Sequence, residues 1–197
     1  MGEGSGNTAT PGQRVAAAGH ASGGIVESPA ETAGCAALRA GLVAVLPAGV
    51  GVVAGQSNRV APPLPPFVTL TLSGRERLSS GGWHYPATTR ELAVPTQLGV
   101  QVRLFGPGVG DMAQRVIALW RDMQAADFLS AQGLALSPLD VQSAHQSGFV
   151  TAEHQYEDCW EINLLAQVTF ILSIPQDFAT TLPVLTIGAD AAYPPQE

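Results

Sequence analysis

The sequence predicts an α+β fold, with a mixed or mainly antiparallel sheet, two main helices packed on it, and a long strand near the C-terminus. Three observations carry this. First, from Gln155 to Ile174 apolar residues recur at every second position, interrupted only by Asp158: Tyr156, Trp160, Ile162, Leu164, Ala166, Val168, Phe170, Leu172 and Ile174. Glu157, Glu161, Asn163, Gln167 and Ser173 take the other parity. Successive side chains of a strand point to opposite faces, so this is one half-buried strand, about 65 Å long at 3.3 Å per residue. A strand of that length must bend, change partners or project. Second, Phe67–Leu72 and Thr96–Phe105 alternate in the same way. Third, helical spacing appears only on either side of these strand runs, which argues against βαβ alternation.

In chain order, Met1 to Ser28 is Gly-rich and polar and is expected to be a flexible segment. Pro29 opens a helix through Leu38, Leu42 and Leu46, closed by Pro47 and Gly49. Val50–Val53 suits a short strand, and the Pro-rich connector to Pro66 is stiff. Phe67–Leu72 continues into Arg75, Glu76 and Arg77. Ser79–Pro86 reads as a hairpin tip, Thr88–Val94 as its return, and Thr96–Phe105 as a further strand. The turn GPGVGD then leads into a helix from Asp111 to Ser130, with Gly110 or Asp111 as its cap. Ser137–Gly148 reads as irregular. After the long strand, Pro183–Ile187 suits a last strand. The expected domain spans residues 29–187, with a flexible tail at 188–197.

Composition narrows the function. Of 197 residues, 46% are hydrophobic and 13% charged, which describes a globular chain with little charge to keep its surface apart from partners. The net charge is −7, and all nine basic residues are Arg. An acidic chain without a basic run is poorly suited to wrapping DNA phosphates, although it suits a passage through which DNA slides. No apolar stretch has the length of a signal-peptide core or a membrane span. Cys35 and Cys159 form no metal pattern and are expected to be reduced thiols.

Candidate chemistry is sparse. His20, His84, His145 and His154 show no metal-ligand spacing. His84, between Trp83 and Tyr85 in a Gly-flanked loop, is placed to meet a partner. Glu153, Glu157 and Glu161 share one strand face while Asp158 takes the other. Such a stripe is ordinarily a solvated face, and its functional version is a negative surface facing a shared lumen. GPGVGD follows a strand and opens a helix, yet it lacks both the GxGxxG and the GxxxxGK[ST] patterns. No catalytic, cofactor-binding or metal-binding residue is assigned.

The succession LFGPGVGDMAQRVIALWRD, FVTAEHQYEDCWEINLLAQ and IPQDFA resembles the tailed-bacteriophage neck or tail terminator family. LPAGVGVVAGQSNRV and VTLTLSGRERLS are similar to its first half. The resemblance covers residues 35–187. Its recurrent positions fall on Phe105, Gly106, Pro107, Gly110, Asp111, Trp120, Arg121, Gln155, Tyr156, Glu157, Trp160, Pro175, Gln176, Asp177 and Phe178, most of them structural. It implies a non-enzymatic, ring-forming virion protein, commonly a homo-hexamer, made in the host cytoplasm. The ring would cap the tail tube, join it to the head-tail connector, and pass genomic DNA through its lumen, with no membrane partner. SGGWHYPATTREL resembles the family's variable hairpin arm, a contact with neighbouring copies. Two alternatives stand beside this: another head-tail connector or tube-completion protein, and a small divalent-cation-dependent enzyme using the Glu153–Asp158 cluster.

Overall fold

The computed structural model describes residues 20–22, 24–56, 61–150 and 155–177. Among these, eight strands form one sheet and three helices pack on it. The strands are β1 (His20–Ser22), β2 (Ile25–Ser28), β3 (Gly51–Ala54), β4 (Phe67–Arg77), β5 (Gly82–His84), β6 (Thr89–Phe105), β7 (Leu136–Val150) and β8 (Tyr156–Pro175). The helices are α1 (Glu31–Val45), α2 (Val109–Trp120) and α3 (Met123–Ala131). The strand order is β1-β2-β8-β6-β4-β3, with β5 also on β6 and β7 also on β8. All pairings are antiparallel except β3–β4, so the sheet is mixed.

The long alternating segment is β8, and it is the spine of the molecule. It pairs with β6 from Cys159↔Phe105 to Pro175↔Thr89. Along its other margin it changes partner, from β7 at Tyr156–Val168 to β2 at Ile171–Ser173. Its length is thus used by two successive neighbours. The even-numbered face buries Ile162, Leu164, Ala166 and Val168 beside Leu98, Val100, Val102 and Leu104 of β6 and Val68 and Leu70 of β4. Leu38 and Leu42 of α1, Val109, Ala113, Val116 and Trp120 of α2, and Leu129 of α3 close this core from above.

α1 ends at Val45, and its C-cap Leu46 is extended because it precedes Pro47, whose ring disfavours helical geometry in the residue before it. At the other turn, Gly106 has φ +109° and a Cβ there would lie 2.7 Å from Pro65 Cβ, so the FGPG turn needs glycine for both conformation and space. α2 starts at Val109 behind Gly108, which is left-handed at φ 75°, two residues earlier than the expected cap at Gly110 or Asp111.

Four sequence expectations are corrected. The helix expected over 111–130 is two helices, because Asp122 takes extended backbone and its carboxylate accepts from Gln124 N at 2.9 Å, capping a new helix. The region 137–148, expected to be irregular, is the body of β7. Register shifts between Pro138 and Asp140 and between Val141 and Ser143 each reset its side-chain parity, which hides the alternation. Thr88–Val94 and Thr96–Phe105 are one 17-residue strand, β6, in which Pro95 is accommodated. The segment 1–28, expected to be flexible, includes β1 and β2, and β2 pairs with β8. The expected strand at 183–187 and the tail 188–197 lie outside the described residues.

Candidate functional site

The acidic segment is divided by strand geometry. Glu157 and Glu161 point to the face away from the helices, while Asp158 points to the opposite one. Glu161 accepts from Gln101 Nε2 at 3.0 Å and lies 3.6 Å from Arg103 Nε, so its charge is locally balanced. Asp158 is exposed and receives Gln146 Nε2 at 3.5 Å. Glu153 and His154 lie outside the described residues. His145 faces Glu161 across β7–β8, whereas His84 is at the far end of the sheet on β5. Among the described residues no three His, Cys, Asp or Glu side chains stand together as a metal site. Cys159 is fully buried, and burial pushes its thiol up against the opposing pull of Arg103. Burial also raises the Cys35 thiol, with the Glu31 charge adding to it.

The face opposite the helices is polar. Thr69–Arg103–Glu161–His145 form one row across four strands, and Thr71–Gln101–Asn163–Ser143 the next. Asn163 Nδ2 donates to Ser143 Oγ at 2.9 Å. At one end this face carries an aromatic group: Phe105 stacks on Phe67 at 4.9 Å, meets Phe149 edge-on at 5.0 Å, and lies under the Arg103 guanidinium at 5.2 Å. These rings cover Cys159.

The sheet outruns its helical layer at the other end. Burial stops at Val168 on β8 and resumes on β6 only at Thr96. Beyond those points β1, β2, β8, β6 and β5 form a five-stranded arm, in which no residue of β2, β8, β6 or β5 is buried. Trp83 and Tyr85 stack at 6.4 Å and are 49% and 58% exposed, and Arg90 lies over the Trp83 ring at 5.2 Å. Arg77 holds the loop that precedes them, with Nε donating to Ser79 O at 2.6 Å and Nη2 donating to Ser80 O. Leu78, Ile25 and Val26 are also exposed here. At the opposite pole, where β7 meets β8, Tyr156 is 88% and Val150 49% exposed.

The loop 79–86 and the long strand stand where the sequence pattern puts them. The arm as a five-stranded unit is not foreseen by that pattern, because its strands come from distant parts of the chain and meet only through pairing. Trp120, expected from the helical spacing and the family resemblance as a structural aromatic, is buried in the core, and its indole N–H donates to Leu165 O at 3.1 Å, an anchor the sequence does not show. Trp160 is half-buried, with Gly110 packed against its ring, and Tyr156 and Gln155 are exposed.

An α+β scaffold with a polar face on which no described helix packs, and two projecting ends carrying exposed aromatic residues, has the surfaces of an assembly component. Residues 36–194 match the phage neck terminator protein family, and the chain belongs to that family. No curated protein matches the sequence. Among solved structures, the chain is similar to the sheath/tube terminator of an extracellular contractile injection system (PVC) in its extended state, at 13% identity and a TM-score of 0.42. That alignment covers 85% of this chain and 65% of the other, so the chain spans less than two thirds of that protein.

Proposed function

We propose that the protein caps the tail tube and joins it to the head-tail connector as a homo-hexameric ring. The family membership over 36–194 carries this reading. Its partners are other copies of itself, the tail tube protein and the connector protein. It is made in the host cytoplasm and built into the virion there. Its work is structural rather than enzymatic.

The geometry supports the reading in two ways. The arm and the β7–β8 end are different surfaces on one subunit, which is what a cyclic, head-to-tail contact requires. The polar face offers DNA little to hold: among its described side chains Arg103 is already paired with Glu161. A lumen lined by Thr, Gln, Asn and Ser lets genomic DNA pass without adhering, since tight binding depends on Lys and Arg neutralising phosphates. The hairpin 78–88 is the contact with neighbouring copies.

The test is to mix the purified chain with tail tubes lacking a terminator and image the products. Rings at one tube end, and tubes then competent to join heads, are expected. A chain that leaves tube ends bare and heads unjoined contradicts the proposal.

A further inference from the structure

The two margins of the sheet beside the helical core are finished differently. On one margin β3 is four residues long, and Arg39 Nε donates to its Val52 carbonyl at 2.6 Å. A short strand engaged by a charged side chain is a usual way of ending a sheet. On the other margin β7 runs for 15 residues and, among the described residues, pairs with β8 alone. It carries no Arg, and its one carboxylate, Asp140, lies 3.4 Å from Arg121. Both of its register shifts fall between Pro138 and Ser143, so the stretch from Ser143 to Val150 is regular strand whose outer side pairs with no described strand. A long uncharged edge of this kind is a template for another strand.

We propose that this open edge, over residues 143–150, receives the arm strand β5 of a second copy, so that the sheet continues from one copy to the next. This deepens the ring reading above and rests on it. Three observations select the occupant. First, β5 lies on the margin away from β7, across the order β7-β8-β6-β5, so joining β5 to β7 repeats in one direction and makes a heterologous contact that a rotation can close. Second, β5 sits level with residues 171–173 of β8, through β6, whereas β7 sits level with 156–168. That offset is the stagger that closing a continuous sheet demands. Third, the segment 77–90 contains Arg77 and Arg90 and no carboxylate, while the segment 144–158 contains Glu153, Glu157 and Asp158 and no Arg. Copies each carrying a net charge of −7 repel, and the arm meets the acidic segment with less of that repulsion, because Arg77 and Arg90 offset the flanking Glu76 and Glu91. Trp83 and Tyr85 on the arm and Val150 and Tyr156 beside β7 supply exposed apolar surface for the contact to bury.

The test is disulfide trapping in the full chain carrying His84→Cys with Gln146→Cys, and separately His84→Cys with Gly148→Cys. Both positions lie on the strands said to meet, and all three residues are exposed. Particle mass is measured by light scattering before oxidation, alone and with tail tubes. The expected result is a covalent ladder extending to the full ring in at least one pair, at least tenfold more abundant than in the single-cysteine variants or the parent chain. The native thiols of Cys35 and Cys159, both raised by burial, give the low background. Particles of ring mass that yield no ladder in either pair overturn the edge contact while leaving the ring intact. A chain that stays monomeric under every condition overturns both.

Discussion

Trp120 and Gly106 show how single residues hold this fold in register. Trp120 ties α2 to the middle of β8 through its bond to Leu165 O, on top of its burial in the core. Trp120→Phe keeps most of the apolar surface but leaves that carbonyl without its donor, and is expected to cost about 1–3 kcal/mol in denaturant unfolding. Gly106 sits at a positive φ with Pro65 and Pro66 against it, so Gly106→Ala meets both backbone strain and a steric block. A loss of about 1–3 kcal/mol is expected from the backbone alone, and an unchanged unfolding midpoint would show that the turn relaxes. Trp160 is a contrasting case. Its place in the alternation suggests a core residue, yet it is half-buried, with β7 flanking its strand. Trp160→Ala is accordingly expected to cost about 2 kcal/mol, short of the 3–5 kcal/mol typical of a fully buried aromatic.

The elements divide into a core and an arm. Where the core is formed, each strand has one apolar and one polar face, and the amino-acid order of β4, β6 and β8 displays that alternation directly. In the arm no residue of β2, β8, β6 or β5 is buried, so their apolar side chains there stabilise the isolated subunit little. Trp83→Ala with Tyr85→Ala is therefore expected to leave thermal unfolding nearly unchanged, within about 0.5 kcal/mol, while abolishing assembly. A large fall in the unfolding midpoint would place the loop in the fold rather than at a contact. The same division explains what is legible in the sequence. β8 is plain because period-2 alternation survives its change of partner. β7 is not, because two extra residues between Pro138 and Ser143 shift its parity and leave no periodic signal. The break between α2 and α3 is signalled by Asp122, an N-cap residue type, but helical spacing continues across it through Met123 and Phe128 and masks the stop. The arm's five-stranded character has no local signal at all, since Ile25–Ser28 and Ile171–Ser173 meet only in space. No catalytic site is expected from the sequence, and the side chains that matter for a terminator are spread over surfaces whose composition is ordinary.

For the whole molecule, the governing facts are membership of the neck terminator family and a subunit with two unlike ends and one polar sheet face on which no described helix packs. An acidic chain whose polar-face Arg103 is already paired is expected to bind duplex DNA no tighter than about 0.1 mM at physiological salt, the weak end of non-specific binding. Filter binding checks this, and micromolar affinity would rule out a passive conduit. The central claim is the ring at the end of the tail tube. It is tested most directly by cryo-electron microscopy of terminator-free tail tubes after addition of the purified chain. The expected result is a sixfold ring of this protein at one end of each tube. Bare tube ends, with the chain remaining monomeric in solution, would contradict it.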